Sequence, residues 1–320
     1  MHFRTKYAWE QVPICELCGS PDRRLFDRRF SDNVSITNML CRRCGLVYQS
    51  PRIHSDSMRE YYDHDYMLHI QGAEEVPEKE LEIQRLRAGH FLSIFKQYGR
   101  EVNRHLDLGS STGQMLERFR SEFGCTSVGV EPIKAYREYA ISHDLEMWPE
   151  LPAAGNSNED RFDLITAAHV LEHLPNPKLY LEKLLEQWLA PGGIMMLEVP
   201  NLFFHECFEL SHLFSYHKGT LRSMLQQSGF EVIRILEHGF PYSRRFPLFL
   251  LAMARKALKR AAYGWPSSAF LLIRRRLGRA SYLASASIHK LIRAGRKSSL
   301  EQLIETWVAQ PDQRVDQDRE

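Results

Sequence analysis

The stretch HLDLGSSTGQML, His105–Leu116, decides the reading of this 320-residue chain. His105–Leu108 is the end of a buried strand, with the acid Asp107 near its tip. Gly109, Ser110, Ser111, Thr112 and Gly113 are all small. From Gln114 the spacing turns helical, with Met115, Leu116 and Phe119 on one side. A strand that feeds a small-residue turn and then a helix N-terminus makes a cradle of backbone N–H groups facing a ligand. A second acid, Glu131, followed by Pro132, ends the β-branched run Thr126–Val130, 24 residues beyond Asp107. That is the span of one strand–helix–strand step, and a carboxylate there can accept hydrogen bonds from both hydroxyls of a ribose.

A dinucleotide fingerprint needs G-x-G-x-x-G, whereas this turn reads D-x-G-x-S-x-G, with Ser111 at the middle glycine position. The pattern resembles the first motif of class I S-adenosylmethionine (SAM) methyltransferases. The resemblance continues in order. GVEP at 129–132 is similar to their ribose motif, FDLITAAHVLEHLPNP at 162–177 to their fourth-strand motif, LAPGGIMMLEVPN at 189–201 to the fifth, and GFEVIRILEHGF at 229–240 to the sixth. It implies SAM as cofactor, held by Asp107, Gly109, Ser110, Ser111, Gly113, Glu131 and Pro132. His169 would line the pocket. Trp148 is a candidate to stack on the adenine, with a core position as the alternative.

Alternating strands and helices predict an α/β fold, a Rossmann-like parallel sheet of seven strands with helices on both faces. The strands are expected at 103–108, 126–131, 145–148, 162–168, 194–199, 230–237 and 247–254. Helices are expected near 81–98, 113–122, 133–142, 177–188 and 218–228. The expected organisation is a zinc ribbon and join at 1–66, the methyltransferase domain at 67–256, a basic helical appendage at 257–309 and a disordered tail at 310–320.

The ribbon rests on two matching knuckles, Cys15-Glu-Leu-Cys18-Gly19 and Cys41-Arg-Arg-Cys44-Gly45. Four thiolates at that spacing complete a closed tetrahedral site, which makes the expected Zn2+ structural. So small a segment has little core without such a staple. Four of the six cysteines lie in these pairs, a usage that fits a reducing cytoplasm better than disulfides. The ribbon resembles the leader of certain sugar methyltransferases. Tyr61, Tyr62 and Tyr66 lie in the join. Two are expected to pack the ribbon onto the next domain, and the third is left between packing and the pocket.

Residues 201–217 are rich in aromatics and histidines and follow the fifth strand. ELSHLFSYHKGTL resembles a Glu-His-Leu motif of sugar C-methyltransferases, with His212 at the histidine. Ser211 stands where that group has glutamate, so a hydroxyl acceptor is favoured over carbon. His212 and His169 are the candidate catalytic bases, since an imidazole near neutrality can take a hydroxyl proton. Glu172 and His173 are read as acid–base groups or as residues that cap and orient.

The net charge of +2 conceals a lopsided distribution. Residues 241–300 carry 14 Lys and Arg and no acid, leaving a balance of −12 elsewhere. Basic amphipathic helices there suit an anionic membrane surface, with nucleic acid or packing on the acidic body as alternatives. Met1–Pro13 lacks an apolar run, so no secretory leader is expected. The expected place is the cytoplasm, peripheral to the inner face of the membrane. The expected activity is methyl transfer to a sugar, as a small molecule or a lipid-linked glycan intermediate. An RNA methyltransferase and a non-catalytic SAM-binding scaffold are the alternatives. Oligomeric state is not legible in the sequence.

Overall fold

Apolar residues alternate between two cores across one sheet. Ile165, Ala167, Leu197, Val199, Ala252 and Ala254 belong to one core, while Leu164, Ile194, Met196, Leu251 and Met253 belong to the other. A strand covered on both faces therefore reads as a continuous hydrophobic run. The computed structural model describes residues 6–31, 34–64, 77–152, 161–206, 208–258, 265 and 271–294. Met1–Arg275 form one compact unit and Arg276–Glu320 a second.

The first unit begins with strands β1 (Trp9–Glu10), β2 (Arg23–Ser31), β3 (Val34–Cys41), β4 (Val47–Gln49) and β5 (Arg52–Ile53), then helices α1 (Ser55–His64) and α2 (Glu78–Lys96). The large sheet follows, with β6 (Arg104–Leu108), α3 (Gln114–Phe123), β7 (Thr126–Val130), α4 (Lys134–Ile141), β8 (Glu146–Trp148), β9 (Phe162–Ala168), α5 (Pro177–Lys183) and β10 (Leu189–Pro200). The chain then adds β11 (Phe214–Ser215) to the small sheet, and α6 (Lys218–Gln227), β12 (Phe230–His238) and β13 (Phe249–Lys256) complete the large one, before helix α7 (Leu271–Ala294).

The seven strands lie in the order β12-β13-β10-β9-β6-β7-β8. The expectation of an all-parallel sheet is corrected at one edge, where β13 runs antiparallel to both β10 and β12. The short Gly239–Leu248 connection returns the chain beside β12, and a connection of that length cannot make the crossover that parallel strands require. The expected helix 177–188 is α-helical only through Lys183, and Leu184–Trp188 forms a π turn that delivers the chain directly into β10 at Leu189.

The ribbon does not close on itself. Its sheet runs β11-β4-β3-β2, with β11 contributed from beyond β10. Val12, Cys15, Leu17, Cys41, Cys44 and Leu46 share a core with Leu213, Phe214 and Tyr216. Tyr61 packs edge-on to Tyr7, as expected of a join residue, and Tyr66 lies outside the described residues. Helix α2 lies against α3, with Phe95 and Phe119 ring centroids 5.9 Å apart.

Helix α7 begins on the first unit, with Leu271 buried beside Leu202, Phe203 and Phe208. Arg275 is 5% exposed and donates to the carbonyls of Leu202 and His205. Arg274 sits over the Phe203 ring. These two arginines of the basic segment contact the loop after β10. Of the expected appendage at 257–309, residues 259–264, 266–270 and 295–309 lie outside the described residues, as does the expected tail at 310–320.

Candidate functional site

Asp107 and Glu131 stand at the tips of the adjacent parallel strands β6 and β7, and both are buried. Thr166 on β9 donates to Asp107 Oδ1 at 2.6 Å. Burial nevertheless pushes the Asp107 carboxyl up to about 7, against the pull of that hydrogen bond. Glu131 is also pushed up to about 7 by burial, although two backbone N–H groups favour its charged form. Ser111 N–H donates to Oε2 and Ile133 N–H to Oε1, each at 2.8 Å.

The turn between β6 and α3 is held in a shape that needs small residues. Gly109 and Gly113 have φ of +62° and +82°. A Cβ on Gly109 would meet Val170 Cγ2 at 2.5 Å, and one on Gly113 would meet Leu145 Cδ1 at 2.2 Å. Ser111 adopts φ +47° without glycine's freedom. Helix α2 crosses above: Gln84 donates to Ser111 Oγ at 2.9 Å and accepts from the Thr112 hydroxyl. The sequence reading missed Gln84, because nothing in a polar helix position announces a partner 27 residues away.

This turn fits SAM on grounds internal to the structure. A buried carboxylate caps the second strand, and the backbone is free of Cβ at its two tightest positions. Asp107, Gly109, Ser110, Ser111, Gly113, Glu131 and Pro132 all stand at this edge of the sheet, around the ends of β6 and β7. Trp148 is half-buried on β8, and its carbonyl accepts from the Glu131 N–H at 2.9 Å. Its ring packs 5.9 Å from Trp188 and 6.5 Å from Phe162, because β8 is an edge strand whose inward side chain must cover the end of the core.

A second cluster lies past the ends of β9 and β10. His169, at φ +57°, is held by two carboxylates, with Nε2 3.1 Å from Glu198 Oε1 and Nδ1 3.3 Å from Glu172 Oε1. Ser111 and His169 are two of the three non-glycine residues with positive φ among the described residues. Such backbone strain persists only where the surroundings enforce it. Burial and the Arg87 charge both oppose a proton on His169, yet the hydrogen bonds and charges of the two acids outweigh them and raise its pKa.

Glu198 is fully buried and also meets Arg87 Nε and His238 Nε2, each at 3.0 Å. Burial would raise its pKa, but these partners hold it well below the usual carboxylate range. Sequence reasoning missed Glu198. The available signal was an acid inside the apolar run Ile194–Val199. The His90 ring lies 4.5 Å from that of His238.

Glu172, His173 and His212 complete the cluster. The His173 and His212 rings are 4.7 Å apart, edge to face. His173 Nδ1 lies 3.0 Å from both the Ser211 carbonyl and the Tyr62 hydroxyl. Of the three join tyrosines, Tyr62 is thus the one that, among the described residues, contacts His173. His212 Nε2 lies 3.7 Å from Glu209 Oε2. Burial, with His212 beside it, pushes His173 down to about 3. Burial would raise Glu172, but His169, His173 and His212 around it bring it to about 2.

In the same unit, Cys15 Sγ is 3.6 Å from Cys44 Sγ and Cys18 Sγ is 3.5 Å from Cys41 Sγ. All four sulfurs lie within 4.8 Å of one another. Tetrahedral zinc with bonds of about 2.3 Å sets sulfurs roughly 3.8 Å apart. Gly19 and Gly45, at φ +70° and +76°, turn each knuckle so that its N–H bonds back to the first cysteine's carbonyl. The donor set fits zinc.

Residues 80–235 match the family described as a methyltransferase domain. A ubiquinone biosynthesis O-methyltransferase from Alkalilimnicola ehrlichii is 30% identical over 110 residues, covering 32% of this chain. The match spans 44% of that relative's length. Among solved structures, the 1,6-didemethyltoxoflavin-N1-methyltransferase of Burkholderia thailandensis aligns with 74% of this chain and 99% of its own. Its TM-score is 0.51 at 16% identity, a likeness of fold. Magnesium protoporphyrin IX methyltransferase from Synechocystis aligns with 63% of this chain and 96% of its own, at TM-score 0.46 and 15% identity. Over residues 80–235 the chain is thus similar to methyltransferase domains, and its fold resembles that of the Burkholderia enzyme.

Proposed function

We propose that this protein is a SAM-dependent methyltransferase whose acceptor is a hydroxyl of a sugar or of a lipid-linked glycan intermediate. The observation that carries the methyltransferase reading is the buried pair Asp107 and Glu131 on either side of a turn whose Gly109 and Gly113 hold positive φ and whose Cβ positions are crowded by Val170 and Leu145. Asp107, Gly109, Ser110, Ser111, Gly113, Glu131 and Pro132 would hold the cofactor. Bound SAM supplies an electrophilic methyl group, so the chain's own task is alignment and proton handling.

Glu131 would accept from the ribose hydroxyls, exchanging bonds it now receives from Ser111 and Ile133. His169 would line the pocket, braced between Glu172 and Glu198. His212 is the histidine suited to receive the acceptor's proton, because its Nδ1 has no hydrogen bond among the described residues. The name of the Alkalilimnicola relative supports transfer to oxygen. The order of cysteine ribbon and methyltransferase domain supports a sugar. The four cysteines would hold a structural Zn2+. No helix among the described residues is long and apolar enough to cross a membrane. The basic segment after residue 240 supports contact with an anionic membrane face on the cytoplasmic side.

The test is calorimetric binding of S-adenosylhomocysteine to the full chain, followed by transfer of labelled methyl to nucleotide sugars, lipid-linked glycans and RNA. Binding that is lost in Glu131→Ala, with label on a glycan, is the expected result. Unchanged affinity in Glu131→Ala removes the cofactor assignment, and label on RNA removes the sugar.

A further inference from the structure

We infer that Glu172, His173 and His212 form a binding site for one divalent transition-metal ion, separate from the four cysteines. Each offers a ligand atom, and the three atoms lie within 4.8 Å of one another. A first-row ion with bonds of about 2.1 Å needs donors roughly 3–3.5 Å apart, which small side-chain rotations supply. Glu172 is 1% exposed and His212 5%. Glu172 Oε2 and His212 Nδ1 make no hydrogen bond among the described residues. A carboxylate taken out of water without hydrogen bonds costs several kcal/mol unless a cation answers it. The nearest charge partner, His169 Nδ1 at 3.3 Å, answers only one oxygen.

The surroundings are those of a ligand set. A carbonyl oxygen only accepts, so the bond at Ser211 puts the proton of His173 on Nδ1. That tautomer leaves Nε2 with the lone pair a metal requires. Glu209 stands beside Nε2 of His212, which leaves Nδ1 as the ligating nitrogen there. His169 ties Glu172 to Glu198 and so fixes the carboxylate from behind. Two imidazoles and one carboxylate, with no thiolate, suit Mn2+, Fe2+, Co2+ or Zn2+ rather than Ca2+. Three protein ligands leave positions open for an acceptor oxygen.

The ion's role rests on the methyl transfer proposed above, although the site itself does not. An acceptor hydroxyl bound at an open position would lose its proton to solvent more readily. The resulting oxygen takes the methyl from sulfur, and S-adenosylhomocysteine is left. His212 then acts as a ligand in place of a base.

The test uses the full chain with its zinc in place, dialysed and titrated with Mn2+. Expected are one Mn2+ per chain beyond the zinc, and nitrogen couplings from two imidazoles in the pulsed electron paramagnetic resonance spectrum. Glu172→Gln and His212→Ala should each weaken Mn2+ binding at least tenfold while zinc content and S-adenosylhomocysteine affinity stay unchanged. The spectrum needs no variant, so it decides the matter even if either variant misfolds. Absent Mn2+ binding, or bound Mn2+ without imidazole coupling, overturns the site and leaves an acid–base cluster. Intact Mn2+ binding with no affinity for S-adenosylhomocysteine would instead sink the methyltransferase reading.

Discussion

Gly113→Ala is the sharpest probe of the cradle, because its cost can be worked from two separate contacts. Gly113 holds φ +82°, and its N–H closes the turn on the Ser110 carbonyl at 2.8 Å. Placing an alanine in left-handed backbone costs about 1–2 kcal/mol. The new Cβ would lie 2.2 Å from Leu145 Cδ1 and 3.4 Å from Ala140 Cβ. Leu145 is 4% exposed and Ala140 fully buried, so the leucine tip has to turn within a packed core. Overpacking of that kind costs about 1–3 kcal/mol. The expected total is about 3 kcal/mol, or a fall in Tm of roughly 6–12 °C at the slope found for domains of 150–250 residues.

The assay is denaturant unfolding of Gly113→Ala, Leu145→Ala and the double variant. Leu145→Ala alone should cost about 2–5 kcal/mol through the cavity it leaves. The double variant should be less destabilised than the sum by about 1–2 kcal/mol, since the overlap is relieved while the backbone term remains. A Gly113→Ala protein within about 0.5 kcal/mol of wild type, or strict additivity, would refute the reasoning: the turn would then not be pinned between α3 and Leu145.

Two further outcomes follow from the buried acids and the cysteines. Glu131 has a folded pKa of about 7, raised from 4.5. The stability it lends is therefore fully present below about pH 4.5 and is lost as pH rises through 7, on the order of 3 kcal/mol by linkage. Ribose hydroxyls donating to Glu131 would favour its ionised form, so binding of S-adenosylhomocysteine should release protons and tighten from pH 6 to pH 8. Calorimetry in two buffers of different ionisation enthalpy measures this, and proton uptake would contradict it. Cys44→Ser should abolish zinc retention, measured by elemental analysis. It should also lower Tm, because Cys44 shares a core with Phe214 and Tyr216 of the larger domain; full zinc content in the variant would exclude the four-cysteine site.

What the chain discloses by itself is whatever depends on neighbours in sequence. Asp107, the small-residue turn and α3 are contiguous, and each cysteine knuckle spans five residues, so spacing alone implies a cradle and a metal clip. Glu131 is legible because one strand–helix–strand step has a nearly constant length. The tertiary structure alone decides the rest, because the partners are far apart along the chain. Tyr62 meets His173 across 111 residues and Gln49 bonds the His212 carbonyl across 163. β11, which follows β10 in sequence, pairs with β4 of the N-terminal sheet, and β13 runs antiparallel beside β10. Glu198 gains its meaning only when Arg87, His169 and His238 converge on it from three other elements. A lone acid in an apolar run costs too much to bury unless such partners arrive, and no local pattern records their arrival.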